Sequence, residues 1–352
     1  MVAAFSLAMS TVAKLSPNTP QSPDSPPSTS DRVQAALTGI AVGDALAMPV
    51  HWYYDRSHLV ADYGQVTDLL APKNPHPGSI LWRSHWDAPH PELDILGDQR
   101  RFWGQRNVHY HQNLAAGEMT LTGKLAFEAW ESVQANGGYD RNDALRRYID
   151  LLTHPQRHRD TYVEECHRGF FSNLGRGVPA EVCAVVEKHI GGLVPMLAVA
   201  LYYADDPEAA RTHALAHLSI THAGKTMQKV AVAVLDVLAR VLAGEALDEV
   251  IADECAMQRH AMFGFPLTKW LDDTDARVVG RRLSTACYVD QSVPAVFYLA
   301  LKYAKDPEAG LIANTNLGGD NVHRGAVLGA LLGAANGQAA WPSRWVDKLV
   351  PH

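Results

Sequence analysis

Two pairs of ionisable residues stand beside glycine-rich stretches at opposite ends of the sequence. Asp44 lies within a stretch near the N-terminus and His51 follows it closely. Asp320 and His323 lie at the start of a stretch near the C-terminus. Carboxylates and imidazoles are the groups that exchange protons or hydrogen-bond a polar ligand near neutral pH. We expect these four side chains to act together if the two stretches pack against each other.

Both stretches predict helices that carry a ridge of small residues. In the C-terminal stretch, from Asn314 to Gly337, the turn Leu317-Gly318-Gly319 comes before a helix N-cap at Asp320 or Asn321. A glycine costs a helix up to about 1 kcal/mol, so such a ridge makes sense only where another backbone approaches very closely. We therefore predict that the two ridges face each other. The ridge positions are Gly325, Gly329, Gly333 and Gly337 in one helix and Gly39, Gly43 and Ala47 in the other.

Composition excludes several classes of protein. The chain has 352 residues, a net charge of −7 and no dominating basic run, which argues against a nucleic-acid partner. The C-terminal apolar stretch is too short and too polar to span a membrane, so we expect no membrane partner. The cysteines are far apart and form no CxxC pair, which predicts reduced thiols and a cytoplasmic location.

The rest of the chain shows helical periodicity and almost no alternating strand pattern. We predict an all-α fold, a compact single domain of many helices, with one helix opened by Asp205-Asp206-Pro207. The other predicted helices are Val33–Val50, Leu114–Gln134, Asn142–Leu152, Thr161–Leu174, Pro179–His189, Leu193–Tyr203, Thr226–Ala243, Ala246–Met262 and Val293–Ala304.

Composition also predicts the domain boundaries. Residues 1–32 are rich in Ser and Pro and are predicted to be a disordered tail, or alternatively a transit peptide to an organelle. The folded domain is predicted at 33–342, followed by a C-terminal tail at 343–352. The proline-rich segment from Tyr53 to Arg106 contains several tryptophans, so we expect an ordered excursion over one side of a cleft, or a loop packed on the surface.

Three motifs carry a family resemblance. G-D-A-L-A begins at Gly43, T-H stands at Thr221, and N-L-G-G-D begins at Asn316 and leads into the glycine-rich helix. In order and spacing they resemble the ADP-ribosylglycohydrolase family over most of the chain, from about Val33 to Gly337. The resemblance implies an all-helical fold, hydrolysis of a glycosidic bond to an ADP-ribosyl group, and two Mg²⁺ ions bound over the ribose.

The resemblance breaks at the positions that hold magnesium in active members. His51 stands where the family has a Glu, and Met119-Thr120-Leu121-Thr122 replaces T-D-D-T. Asp320-Asn321-Val322-His323 replaces D-x-D-T, so Asp320 is the one expected acid that survives, and the Thr120 hydroxyl is a further candidate ligand. We expect no standard Mg²⁺ pair. One hypothesis is a single divalent transition metal held by Asp320, His323 and His51, and the alternative is a polar pocket whose histidines hydrogen-bond a ligand.

The same comparison suggests roles for individual residues. Glu118 and Asp320 are the candidate catalytic acid and base, although Glu118 also suits the first turn of a helix. Asp44 is predicted to be a structural hydrogen-bonding group. The polar run from Arg159 to Arg168 indicates an intramolecular network, or alternatively a contact from Arg168 to a substrate phosphate. The candidate substrate-binding residues are His51, His109, His111, Thr120, His222, Gly318, Gly319 and His323.

Three functions remain open from the sequence. The first is a divergent hydrolase of a glycosidic bond to an ADP-ribosyl or ribosyl ligand, free or on a protein. The second is a catalytically inactive pseudoenzyme that binds ADP-ribose-like ligands, because most of the family's acids are missing. The third is a structural protein that uses the same fold, since a fold does not determine a function.

Overall fold

The computed structural model describes residues 26–154, 156–257 and 264–352, and helices make up most of them. The one named sheet in this part of the chain has two short parallel strands, β1 (Val185–Val186) and β2 (His222–Ala223), with Val185 opposite His222. The all-α prediction is therefore confirmed.

The α-helices are numbered in chain order. They are α1 (Thr29–Ala47), α2 (Arg56–Tyr63), α3 (Leu121–Asn136), α4 (Arg141–Thr153), α5 (Glu165–Gly175), α6 (Leu193–Tyr202), α7 (Pro207–Leu218), α8 (Lys225–Leu242), α9 (Leu247–Met257), α10 (Asp275–Val278), α11 (Val289–Lys302), α12 (Pro307–Leu317), α13 (Asn321–Asn336) and α14 (Ser343–Val346). Short 3₁₀ turns occur at Met48–Val50, Leu81–Arg83, Pro91–Leu93, Gly97–Phe102, Ala180–Val182, Ile190–Gly192, Leu267–Trp270 and Gln338–Ala340.

The two small-residue ridges pack against each other at the centre of the fold. Helices α1 and α13 run antiparallel, with Gly39 against Gly329 and Gly43 against Gly325. A Cβ atom added at any of these four glycines would come closer than 3.0 Å to the backbone of the facing helix. The prediction that the ridges face each other is confirmed. Because the helices are antiparallel, the end of α1 lies beside the start of α13.

Helix α1 is also the one described helix that is long and apolar enough to cross a membrane. In the most apolar window of the segment Thr29–Val50, 89% of the residues are buried inside the protein. Helix α1 lies in the protein core, where α13 covers its small-residue face.

The folded domain extends beyond the predicted boundaries at both ends. Ser28 caps α1, and Arg32 donates hydrogen bonds to the carbonyls of Ala334 (2.7 Å) and Ala335 (3.0 Å), so the end of the predicted tail belongs to the core. Residues 1–25 of that tail lie outside the described residues. The predicted C-terminal tail is also packed, because Trp345 is fully buried and the Val350 amide donates to the Gly117 carbonyl at 2.9 Å.

Most predicted helices are present, but α1 and α11 each begin four residues earlier than predicted, two others begin later, and one is absent. Helix α3 begins at Leu121 rather than at Leu114, because Thr120 is its N-cap and residues 114–120 are not helical. Helix α5 begins at Glu165 rather than at Thr161. The helix predicted over Pro179–His189 is wrong, because its β-branched pair Val185–Val186 forms β1 instead. The end of the helix predicted to reach Met262 lies outside the described residues.

We expect the ridge contact to dominate the stability of the fold. Gly329→Ala places a methyl group against the backbone of Gly39, which cannot move aside, and should lower the free energy of unfolding by at least about 2 kcal/mol. The control is Gly310→Ala in α12, where the new methyl meets the side chains of Leu332 and Tyr303 at 3.0 Å. Its change should stay within about 1 kcal/mol, because the gain in helix propensity offsets slight crowding. Urea unfolding of both variants measures the difference, and equal effects would show that the backbone contact is not decisive.

Candidate functional site

The ends of α1 and α13 bring together His51, Asp320 and His323. His51 follows the 3₁₀ turn after α1, Asp320 precedes α13, and His323 lies in the first turn of α13. Asp320 Oδ1 lies 2.9 Å from His51 Nε2 and 2.6 Å from His323 Nδ1, and all three side chains are fully buried. Within the described chain, these three residues form the group of ligand-type side chains whose atoms all lie within 4.8 Å of one another.

The backbone around the site is held in unusual conformations. Gly318 and Gly319 both have positive φ angles, and Gly319 exchanges hydrogen bonds with Trp52 (2.7 Å) and Tyr53 (2.8 Å). Trp52 itself has φ 61°, which is rare for a bulky residue, and its indole stacks on His51 at 3.7 Å. Because Tyr53 and Thr285 occupy the space beside the two glycines, the glycines position Asp320 and do not form the predicted substrate surface.

Behind His51, His111 and Asp160 form a buried hydrogen-bond relay. His51 Nδ1 lies 2.7 Å from His111 Nε2, and His111 Nδ1 donates a short hydrogen bond to Asp160 Oδ1. Asp160 Oδ2 accepts from the amide of Leu121 at the start of α3. Both ring nitrogens of His111 are therefore used inside the protein, where His111 orients His51, and its predicted substrate contact stays a prediction.

His109 is likewise committed to the protein. Its Nε2 donates to the carbonyl of Pro49 at 3.0 Å, and its Nδ1 accepts from the amide of His111 at 3.0 Å. The ring is fully buried. These contacts fix the backbone that presents His111, and the substrate contact predicted for His109 stays a prediction.

Thr122 and Glu164 face the outer nitrogen of His323. His323 Nε2 lies 3.0 Å from Thr122 Oγ1 and 3.4 Å from Glu164 Oε1. Glu164 is the N-cap of α5 and is buried, and its second oxygen has no hydrogen-bond partner. The ring of His189 packs edge-on against His323 with centroids 4.6 Å apart. Glu164 and Asp320 therefore lie on opposite sides of one imidazole.

A cavity opens on the Glu164 side of this imidazole. Its polar lining includes Glu164, His189 and the predicted ligand-binding residue His222, whose Nε2 is buried without a hydrogen-bond partner. The backbone of Gly191 and Gly192 forms the floor, and a Cβ on Gly192 would collide with the ring of His222. Glu128, His167 and His217 also line the cavity, which is therefore lined by two carboxylates and four imidazoles.

Electrostatics favours a positive charge between the two carboxylates. Burial by itself lowers the pKa of His323, but Asp320 and Glu164 outweigh it and raise the pKa to about 10. Burial works against ionisation of Asp320 and Glu164, but the charge and hydrogen bonds of His323 hold the pKa of each carboxylate well below its ordinary value. Burial lowers the pKa of His222 to about 3, so this ring is neutral.

Asp44 and Thr120 bind each other. Asp44 accepts hydrogen bonds from the amide and the hydroxyl of Thr120, both at 2.7 Å, and the substrate contact predicted for Thr120 stays a prediction. Burial is the main reason that the pKa of Asp44 is raised to about 6. Asp44 thus lies where the predicted structural role requires, at the N-terminus of α3.

Glu118 forms an ion-pair cluster outside the histidine site. Its carboxylate lies 2.8 Å from Lys124 Nζ and 2.5 Å from Arg159 Nη2, and it also accepts from the amide of Ala115. With both oxygens engaged, Glu118 is not placed as the catalytic acid or base that the sequence suggested. Arg168 is also held internally, by the Val163 carbonyl at 3.1 Å and the Tyr162 hydroxyl at 3.3 Å.

Comparison with known proteins agrees with this architecture. The family model described as ADP-ribosylglycohydrolase matches residues 25–351. The chain belongs to the ADP-ribosylglycohydrolase family. A solved structure titled "ADP-ribosylglycohydrolase-related protein complex" matches with a TM-score of 0.61 and 20% identity, covering 91% of this chain and 92% of that chain, which supports the shared fold alone. No curated protein matches the chain.

The Mg²⁺ pair that the family implies does not fit the residues present. Magnesium requires oxygen ligands in near-octahedral geometry. At the three family positions the chain offers the imidazoles of His51 and His323, the carboxylate of Asp320, and a Thr120 hydroxyl already bound to Asp44. Asp160 adds a carboxylate near α3, but it is bound to His111 and Leu121. We therefore assign no step to a magnesium pair.

The residues that the sequence did not identify as site residues are Asp160, Glu164, Thr122 and His189. Asp160 and Glu164 belong to the polar run at Arg159–Arg168, and Thr122 ends the segment aligned with T-D-D-T. Those two signals were visible, but neither shows which side chains point toward His323. His189 precedes the turn Ile190–Gly192 and carries no motif of its own.

A stability experiment tests the structural role of Glu118. Glu118→Gln leaves the buried ammonium of Lys124 without its charge partner and should cost about 3 kcal/mol. Adding Lys124→Met removes the unpaired charge and should recover most of that loss, whereas Arg159 is half exposed and stays hydrated. Urea unfolding of both variants gives the two values. If Glu118→Gln alone were as stable as the wild type, the Glu118–Lys124 ion pair would not be what stabilises this part of the chain.

Proposed function

We propose that the protein is a hydrolase that cleaves a glycosidic bond to a ribosyl group, without the magnesium pair of its family. The observation that carries the proposal is the placement of Asp320 and Glu164 on opposite sides of His323. Each of these carboxylates keeps one buried oxygen without a hydrogen-bond partner.

Paired carboxylates are the groups that glycosidic cleavage uses. The transition state resembles an oxocarbenium ion, which a nearby ionised carboxylate stabilises, while a second carboxylic group moves a proton. In this proposal Asp320 stabilises the positive charge at the anomeric carbon. Glu164, which lines the cavity, takes a proton from the attacking water as the bond to the leaving group breaks, and the leaving group takes a proton from a second water molecule.

The imidazoles of the cavity suit recognition of a sugar. His189 Nδ1 accepts from the amide of Gly191 at 3.0 Å, which leaves its Nε2 proton for a ligand hydroxyl. The neutral ring of His222 has an unused Nε2 in the same cavity. Two imidazoles and a carboxylate can therefore hydrogen-bond the hydroxyl groups of a ribosyl ligand.

The binding pseudoenzyme is the second candidate, and burial of the cluster favours it. His51, Asp320 and His323 are fully buried, so a substrate reaches Asp320 only if the surrounding residues move. A purely structural role is less favourable, because burying ionised carboxylates costs free energy that an apolar core would not require.

Turnover of ADP-ribosyl substrates tests the proposal with a pair of adjacent acids. Purified protein is assayed with arginine-linked and serine-linked ADP-ribosyl peptides and with a nucleoside, and release of the ribosyl product is measured. Glu164→Gln should lower the rate at least about 100-fold, because it removes the proton-transfer group. The matched control Glu165→Gln changes an exposed neighbour on the same helix and should keep the wild-type rate.

Calorimetric titration with ADP-ribose separates the remaining outcomes. Binding without turnover of any substrate would favour the pseudoenzyme and reject the hydrolase. Turnover that survives Glu164→Gln would place the catalytic group elsewhere, and absence of both binding and turnover would leave the family relation as a statement about fold.

A further inference from the structure

We propose that the buried cluster binds one divalent transition metal ion through His51 Nε2, His323 Nδ1 and a carboxylate oxygen of Asp320. The three candidate ligand atoms lie within 4.8 Å of one another. Two ligands bound at about 2.1 Å to one ion lie roughly 3 Å apart, close to the observed separations of 2.9 Å and 2.6 Å from Asp320 Oδ1. Small movements of the rings are enough to admit an ion.

The relay behind His51 turns the lone pair of its Nε2 toward Asp320. Asp160 can only accept, so the Nδ1 proton of His111 is directed to it. In a neutral His111 the Nε2 atom then accepts, and the proton of His51 must lie on Nδ1 to complete the 2.7 Å contact. Nε2 of His51 is left as a lone pair that faces the carboxylate of Asp320 at 2.9 Å.

The residues around His323 likewise orient its Nδ1 atom toward Asp320. Its Nε2 faces the Glu164 carboxylate at 3.4 Å and the Thr122 hydroxyl at 3.0 Å, which places a ring proton on Nε2. In the metal-free protein the Nδ1 proton of His323 is donated to Asp320 Oδ1 at 2.6 Å. A divalent ion that displaces this proton would meet two imidazole nitrogens and one carboxylate at the same place.

These relays are the usual outer shell of a metal-binding histidine. A ligating imidazole nearly always donates its other N–H to a carboxylate, a carbonyl or water, which fixes its tautomer and orientation. Glu164 serves His323 directly, and Asp160 serves His51 through His111. Asp320 Oδ2 adds a buried oxygen without a hydrogen-bond partner. These outer contacts thus orient the rings of His51 and His323 toward Asp320.

The ligand set selects the class of metal. Two imidazoles and one carboxylate suit Zn²⁺, Fe²⁺ or Co²⁺, whereas Mg²⁺ prefers a site made of oxygen atoms. The inference concerns binding alone, so it holds whether or not the protein cleaves a glycosidic bond. It also gives a role to His51 and His323, the two imidazoles that stand in the metal-binding motifs of the family.

Titration of chelator-treated full-length protein with Co²⁺ tests the site without an activity assay. We expect one Co²⁺ per chain, visible ligand-field absorption, displacement by one equivalent of Zn²⁺, and no displacement by a large excess of Mg²⁺. Asp320→Asn and His51→Gln should each weaken Co²⁺ binding at least about 100-fold. Thermal unfolding by circular dichroism checks that each variant is folded.

Two buried carboxylates at the start of α3 provide a matched control. Asp160 accepts from the Leu121 amide and Asp44 from the Thr120 amide, but only Asp160 touches His111. Asp160→Asn should lower the Co²⁺ affinity about 10- to 100-fold by disturbing the His51 tautomer. Asp44→Asn removes a similar cap and should leave the affinity within about threefold.

Three results would overturn the proposal. The first is absence of Co²⁺ and Zn²⁺ binding by folded wild-type protein, which would mean that the proton on His323 already satisfies Asp320 and is not displaced by a metal ion. The second is Co²⁺ binding that is unchanged in both Asp320→Asn and His51→Gln. The third is equal loss of affinity in Asp160→Asn and Asp44→Asn, which would show that the helix start, and not the relay, controls binding.

Discussion

The backbone contact between α1 and α13 is the constraint on which the rest of the structure depends. Glycines on both helices let the two backbones touch, as Gly39 does with Gly329 and Gly43 with Gly325. Because the helices are antiparallel, this contact brings the end of α1 beside the start of α13. The residues at those two ends, His51 and Asp320, therefore meet although they lie 269 positions apart in the chain.

The start of α3 organises the second half of the site. Its first amides are bound by Asp44 and Asp160, carboxylates from two other parts of the chain, and an acid at a helix N-terminus is favourable there. Asp160 uses its other oxygen to hold His111. The helix that in the family carries acids for magnesium thus acts in this chain as an anchor for a histidine relay.

The cluster shows how buried charge is balanced when the acids of a family are replaced. Asp320 and Glu164 share the imidazole of His323, and the pKa of that ring is raised while the pKa values of both carboxylates are lowered. A buried polar network of this kind is favourable only when its members are satisfied. Asp320 and Glu164 each keep one oxygen without a hydrogen-bond partner, although the Glu164 oxygen lies 3.7 Å from His167 Nε2, and we propose that a ligand would bind there.

The sequence by itself determined the helical class, the family and the facing glycine ridges, because helix periodicity and small-residue spacing are local properties. It also singled out His51, Asp320 and His323, since they flank those ridges. It could not show that Glu118 is bound by Lys124 and Arg159, or that Glu164 faces His323. Which of several polar side chains enters a site depends on the packing of distant helices and on the direction of each side chain. Only the tertiary structure decides that, because every imidazole and carboxylate must satisfy its hydrogen bonds at the same time.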